Sequence, residues 1–208
     1  MQAGLLSSAR NRVRRGKPAM FEDALATAVA GGDQLGLNRL FADEGLEPPL
    51  ITWSPATNEL PAAPLRFLND YWRGLPKTGG LPQARAVDPL AMKPALGYIM
   101  LLDVLDGGAD FRYRVYGSRI AQHSGFDMTG KKTSEIGSSN YVSVFFLCMY
   151  RAAMIRREAV YTRHNPAAHV SVRTWDRLLL PLAGDEGLVQ RILAGNVAGD
   201  WRPVFAAG

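Results

Sequence analysis

Residues 98–136 read YIMLLDVLDGGADFRYRVYGSRIAQHSGFDMTGKKTSEI, and this stretch decides the fold. Residues 98–105 are an apolar run of strand length. Residues 111–116 alternate, with Phe111, Tyr113 and Val115 on one face and Arg112, Arg114 and Tyr116 on the other. The DGGAD between them supplies the glycines that a tight turn needs for positive φ. Residues 118–124 then read as a short helix that Gly125 is placed to end, and Gly130 breaks the loop that follows. A β-hairpin leading into small helices is the expected local structure.

Working outward, residues 138–157 form a long helix, with Ser138, Ser139 and Asn140 as caps and Arg151, Arg156 and Arg157 towards its C-terminal end. Three strands follow, at 159–164, 170–183 and 187–198. Gly184-Asp185-Glu186-Gly187 turns between the last two, and the short connections predict an antiparallel meander. Upstream, PLRFLNDYWRGL (64–75) is a helix whose Leu65, Leu68, Tyr71, Trp72 and Leu75 make an apolar stripe after Pro64. The proline- and glycine-rich segment 76–97 allows one or two helical turns from Asp88. Residues 43–63 read as a proline-rich extended linker, and 19–42 as a helical extension broken at Gly31-Gly32. Residues 1–18 are a basic tail expected to be disordered. The core is expected to run from 98 to 200, with 64–97 as flanking helix and connector.

The chain has 208 residues, 47% of them hydrophobic and 21% charged, which suits one globular domain with extensions. Its net charge of +5 belongs to the tail. Arg10, Arg12, Arg14, Arg15 and Lys17 are five of the 24 basic residues, and the remaining 19 match the 19 acids. A formally neutral body makes a broad nucleic-acid face an unfavoured reading. With Met20 as an alternative start, the tail need not belong to the domain at all. The single cysteine, Cys148, allows no intrachain disulfide and fits a reducing, cytoplasmic setting. The apolar run at 141–150 is about half the length of a membrane-spanning helix, so no membrane insertion is expected.

The order of elements, and three segments in particular, resemble a family of short, stand-alone bacterial PAS proteins of the alphaproteobacterial type. The segments are FLNDYWRGLPKTGGLPQARAVDPLAM (67–92), ALGYIMLLDVLDGGADFRYRVYGSRIAQHSGFDMTGKKTSEI (95–136) and WDRLLLPLAGDEGLVQRILAG (175–195). The resemblance implies an α+β fold: a five-stranded antiparallel PAS sheet with flanking helices, here with an N-terminal helical extension. It also implies a role in sensing or protein–protein contact. Fold alone does not supply the site.

A ligand pocket of this fold would lie between sheet and helices. Strand alternation turns Tyr113 and Val115 inward, with Phe145 and Met149 facing them from the long helix at i, i+4 spacing. A packed core without ligand explains the same spacing. His123, Trp175 and Arg177 complete the candidate ligand-binding set. For Arg112, Arg114 and Arg177, ion pairing with Asp103, Asp110 or Asp176 across strands is the favoured expectation over ligand binding. Phe67, Tyr71 and Trp72 are candidates for a dimer interface, because aromatics are enriched at interface cores. Packing on their own domain is the equal alternative.

Cofactor identity stays unknown. Haem is not supported, since the long helix carries no histidine and only His123, His164 and His169 are present. Flavin photochemistry of the light-oxygen-voltage type is not supported either, because the region just after the second strand has no Asn-Cys-Arg-Phe-like motif and no cysteine, Cys148 lying in the long helix. His164 and His169 lack metal-site spacing. No Gly-x-Ser-x-Gly, Walker loop or dinucleotide fingerprint occurs, so the chain is expected not to be an enzyme. The function expected is a sensory or regulatory module. It would act in signal transduction through a small-molecule ligand, an unknown protein partner, or both, as a homodimer. The alternatives are a dimerising adaptor without ligand and a nucleic-acid-associated regulator that uses the tail.

Overall fold

A computed structural model describes residues 18–136, 140–166 and 172–199, with side chains described for 22–136, 141–166 and 172–199. The basic tail to Lys17, the helix caps Ser138 and Ser139, and His169 lie outside the described residues. Helices are α1 (Pro18–Ala30), α2 (Leu35–Ala42), α3 (Ala63–Gly74), α4 (Ser118–Ser124) and α5 (Asn140–Arg156). Strands are β1 (Leu50–Trp53), β2 (Lys77–Thr78), β3 (Leu81–Pro82), β4 (Ile99–Leu105), β5 (Asp110–Tyr116), β6 (Val160–His164), β7 (Trp175–Ala183) and β8 (Val189–Ala198).

Six strands form one antiparallel sheet in the order β1-β6-β7-β8-β4-β5, while β2 and β3 make a separate ribbon. This is the antiparallel sheet that the resemblance implies, with six strands where five were expected. The additional strand is β1, which lies inside the segment read as a linker and pairs with β6 from Leu50↔Arg163 to Trp53↔Val160, so that β1 forms the edge of the sheet. Its four residues, LITW, are too few to show alternation between flanking prolines.

The hairpin that opens the sheet is made by three successive residues with positive φ: Asp106 (47°), Gly107 (69°) and Gly108 (102°). Two of them are glycine, which adopts this region without a Cβ clash. The turn is then fastened from across the core. Arg151 on α5 donates from Nε to the Gly108 carbonyl at 2.8 Å and from Nη2 to the Ala109 carbonyl at 2.6 Å. Its Nη1 pairs with Glu22 at 3.3 Å and Asp23 at 3.1 Å on α1. One buried guanidinium thus joins hairpin, long helix and N-terminal helix.

The β4–β5 pairing contains a bulge that corrects the expected alternation. Leu101 faces Val115, but Leu102 faces Tyr113, so Arg114 is an extra residue on β5. Beyond it the faces exchange. Val115 is 38% exposed and points away from the core, and Tyr116 turns inward in its place.

The two sheet faces are covered differently. Met100, Leu102, Phe111, Tyr113, Trp175, Leu179, Ile192 and Ala194 form one core with α1, α2 and α5. On the other face Ile99, Leu178, Leu180, Leu182 and Leu193 meet Leu65 and Leu68 of α3. Gly195 allows α3 to sit so close, since a Cβ there would stand 2.6 Å from Leu65 and 2.8 Å from Leu68. Phe67, Tyr71 and Trp72 are each half-buried against their own sheet face, and Trp72 Nε1 donates to the Pro181 carbonyl at 2.9 Å. No helix among the described residues is long and apolar enough to cross a membrane.

Gly117, between β5 and α4, gives a direct test of this frame. Its amide donates to the Ile99 carbonyl at 2.8 Å, and a Cβ at 117 would lie 2.3 Å from the Gly97 carbonyl oxygen. Because the obstacle is backbone, it cannot rotate away. Gly117→Ala is expected to cost about 3 kcal/mol. Gly130→Ala, where φ is +83° but nothing lies within 4 Å, is expected to cost only about 1 kcal/mol. Chemical denaturation of both variants checks the contrast, and equal losses would contradict it.

Candidate functional site

Between the sheet, α4 and α5 lies a cavity of about 50 Å³. Tyr113 and Tyr116 of β5, Val142 and Phe146 of α5, and Trp175 of β7 give it aromatic and apolar walls. Ser124, Phe126, Met128 and Ile136 close the side below α4. The polar groups come from three neighbouring strands: His164 of β6, Arg177 of β7 and Asn196 of β8.

Register explains why those groups meet. Thr162 faces Arg177 across the β6–β7 pair, and Arg177 faces Asn196 across β7–β8. The three form a polar row on the α5 face of an otherwise apolar sheet, and His164 follows two residues along β6 on the same face. All four are buried, with Arg177 only 2% exposed. Their Thr162 Oγ1, His164 Nδ1, Arg177 Nε and Nη1, and Asn196 Oδ1 have no hydrogen-bond partner among the described residues. A buried polar atom without a partner is uncommon because it forfeits its hydration for nothing.

Arg177 was expected to pair with an acid on its sheet, and it does not. Asp103 receives Arg114 at 2.9 Å and Arg191 at 3.0 Å, which agrees with the expectation for Arg114. Asp110 receives Ser134 Oγ at 2.6 Å. Asp176 receives Arg163 at 2.7 Å and the Tyr161 hydroxyl, on the sheet face opposite Arg177. The reason is the pleat: adjacent residues of β7 point to opposite faces, so Asp176 cannot serve its neighbour. Arg177 instead stacks on Phe146, with Cζ 3.8 Å from the ring centroid, and donates from Nη2 to the Tyr150 hydroxyl at 2.6 Å. Tyr150 and Tyr113 share a hydroxyl–hydroxyl hydrogen bond of 3.0 Å. Because Tyr150 accepts from the arginine, its own proton can go to Tyr113, which frees the Tyr113 proton for the cavity.

The environment keeps the rest of the site uncharged. Burial, reinforced by the Arg177 charge, lowers His164 to about 3, so its imidazole is neutral. Burial raises Tyr116 to about 12 and moves Tyr150 well above the usual phenol range. The cavity therefore holds one formal positive charge.

Of the residues singled out in the sequence, Tyr113, Trp175 and Arg177 line this cavity. His123 lies beside it, its ring 6.3 Å from that of Trp175. Phe145 is one layer out, packed at 4.7 Å against the His164 ring and 5.1 Å against Phe41. Met149 is buried in the same core away from the cavity, and Val115 faces solvent because of the bulge. The helix contributes Val142 and Phe146 to the wall, and Tyr150 as the partner of Arg177, rather than Phe145–Met149. Both sets are largely buried, since α5 lies between the sheet and α1. Sequence reasoning passed over Tyr116, His164 and Asn196. The available signal was the pair of charged residues, Asp176 and Arg177, inside WDRLLLPLA, a strand in which all nine residues are buried. Cys148 is fully buried, and burial raises its thiol to about 12.

His164 sets a pH signature. The unfolded chain takes up a proton near 6.5, whereas the folded protein resists it down to about 3. Stability is therefore unaffected by this group above pH 6.5 and falls as pH drops from there towards 3, by up to about 1.4 kcal/mol per pH unit. His164→Phe is expected to show a correspondingly shallower loss between pH 7 and 5 in urea denaturation. Parallel pH profiles for the two proteins would contradict the burial of a neutral imidazole.

A family described as PAS domain matches residues 61–196. Among solved structures, one titled "Structure of an RNA-binding Light-Oxygen-Voltage Receptor" is similar at 20% identity with a TM-score of 0.36. The match covers 60% of this chain and 36% of that one, so the chain spans about a third of that structure's length. Comparison with curated proteins gives no match.

Proposed function

The chain belongs to the PAS domain family, and from that premise we propose that it is a non-catalytic sensory or regulatory module of the cytoplasm. It binds a small molecule between its sheet and α5 and signals through protein contacts, as a homodimer or with another partner. The observation that carries this reading is the row of unpartnered polar groups at the cavity, which a core meant only for packing would not retain. Occupancy would be read out through β7. Arg177 lies on the cavity side of that strand, and four residues on, the Pro181 carbonyl receives Trp72 of α3. A ligand that binds one position of β7 more tightly than another would shift the seating of α3 with it. Phe67, Tyr71 and Trp72 of α3 are then the surface through which a second chain would sense the change.

Native mass spectrometry of the freshly purified protein, followed by denaturation, tests the reading. The expected result is a small non-covalent mass that is lost on denaturation. A dimer without any such mass would favour an adaptor that works by association alone.

A further inference from the structure

We infer that the cavity takes a small organic carboxylate, a monoanion with a short apolar tail, and that Arg177 is its counter-ion. This rests on the ligand-binding reading above and specifies the ligand class.

The charge argument comes first. A buried cation is retained when it is paired, because the cost of removing it from water must be repaid. This protein shows what a repaid arginine looks like. Arg151, also buried, has two carbonyls and two carboxylates. Arg177 has one tyrosine hydroxyl, the weakly accepting Met100 Sδ at 3.8 Å and two aromatic faces, Phe146 at 3.8 Å and Tyr150 at 5.2 Å. Cation–π contact offsets part of the cost but leaves Nε and Nη1 without acceptors. No ion pair of the described residues includes Arg177. The segments outside the described residues contain a single acidic side chain, Asp200. The missing negative charge is therefore most simply brought from outside.

Size and polarity narrow the class. One guanidinium beside a neutral His164 balances one negative charge, so a dianion would bury net negative charge. A cavity of about 50 Å³ has room for roughly four or five water-sized groups, which excludes nucleotides, flavins and haem. Its polar corner is Arg177, His164 and Asn196, with the Tyr113 hydroxyl alongside. Its remaining walls, among them Phe146 and Trp175, are apolar. A carboxylate head in the corner with two or three carbons against the rings satisfies both.

The test is thermal denaturation and calorimetry of the full chain at pH 7 with sodium propionate. Propionamide, of the same shape but uncharged, and sodium chloride serve as comparisons. Propionate is expected to raise Tm by on the order of 5 °C at a hundredfold excess over its Kd, while propionamide and chloride do not. Arg177→Met is expected to fold with a Tm equal to or above that of the free wild-type protein and to lose at least about tenfold in propionate affinity. Equal stabilisation by propionamide would overturn the charge assignment while leaving a ligand-binding module standing. No response to propionate, acetate or pyruvate would overturn the carboxylate, and the native mass measurement would then decide the module reading by itself. The wild-type comparison holds even if Arg177→Met fails to fold. A response to inorganic phosphate greater than to any carboxylate would also overturn the proposal.

Discussion

A guanidinium held between a β-sheet and a helix, ion-paired with no carboxylate among the described residues, constrains everything packed around it. Arg177 occupies the centre of the α5 face, on the strand that lies between β6 and β8. Its plane lies over Phe146 and its Nη2 reaches Tyr150, so the helix is fixed to the sheet by one residue of β7 and two of α5. Apolar packing alone would close that space. Instead the polar row of Thr162, Arg177 and Asn196, with His164 beside it, leaves a cavity whose walls are aromatic and whose corner is charged.

The two buried arginines of this core divide the work. Arg151 is saturated and structural: it fastens the positive-φ hairpin to α5 and α1. Arg177 is unsaturated, and an unsaturated charge in low dielectric interacts strongly with whatever enters. The contrast separates a residue that holds the fold together from one whose burial makes sense only with a partner. A bound anion would gain from the same desolvation that penalises the free state, because the unpartnered donors Arg177 Nε and Nη1 are already held by the contacts with Phe146 and Tyr150.

Much of this architecture was readable in the chain. The hairpin at DGGAD, the helix ended by Gly125, the long helix and the final meander follow from turn chemistry and periodicity, and the resemblance to PAS proteins orders them. The failures have specific causes. The bulge at Arg114 cannot be seen in FRYRVY, whose alternation is unbroken as written, so Val115 and Tyr116 exchanged faces. The strand at Leu50–Trp53 is too short and too close to prolines to announce itself. On α5, burial on nearly all sides removes the amphipathic contrast that would choose between Phe145–Met149 and Val142–Phe146. The polar corner depends on cross-strand register: His164, Arg177 and Asn196 are distant in sequence, and nothing local marks them as neighbours. The pairing of Asp176 with Arg163 rather than with the residue beside it is equally a property of the pleat.

The central claim is that Arg177 is a buried cation awaiting an external anion. A high-resolution crystal structure of the protein, purified rapidly and without exchange into carboxylate buffers, tests it most directly. The account predicts density for a small anion, or for ordered water in its place, within hydrogen-bonding distance of Arg177 Nε or Nη1 and next to Asn196 and His164. A dry, closed cavity, or an Arg177 side chain ion-paired with a carboxylate of its own chain, would contradict it.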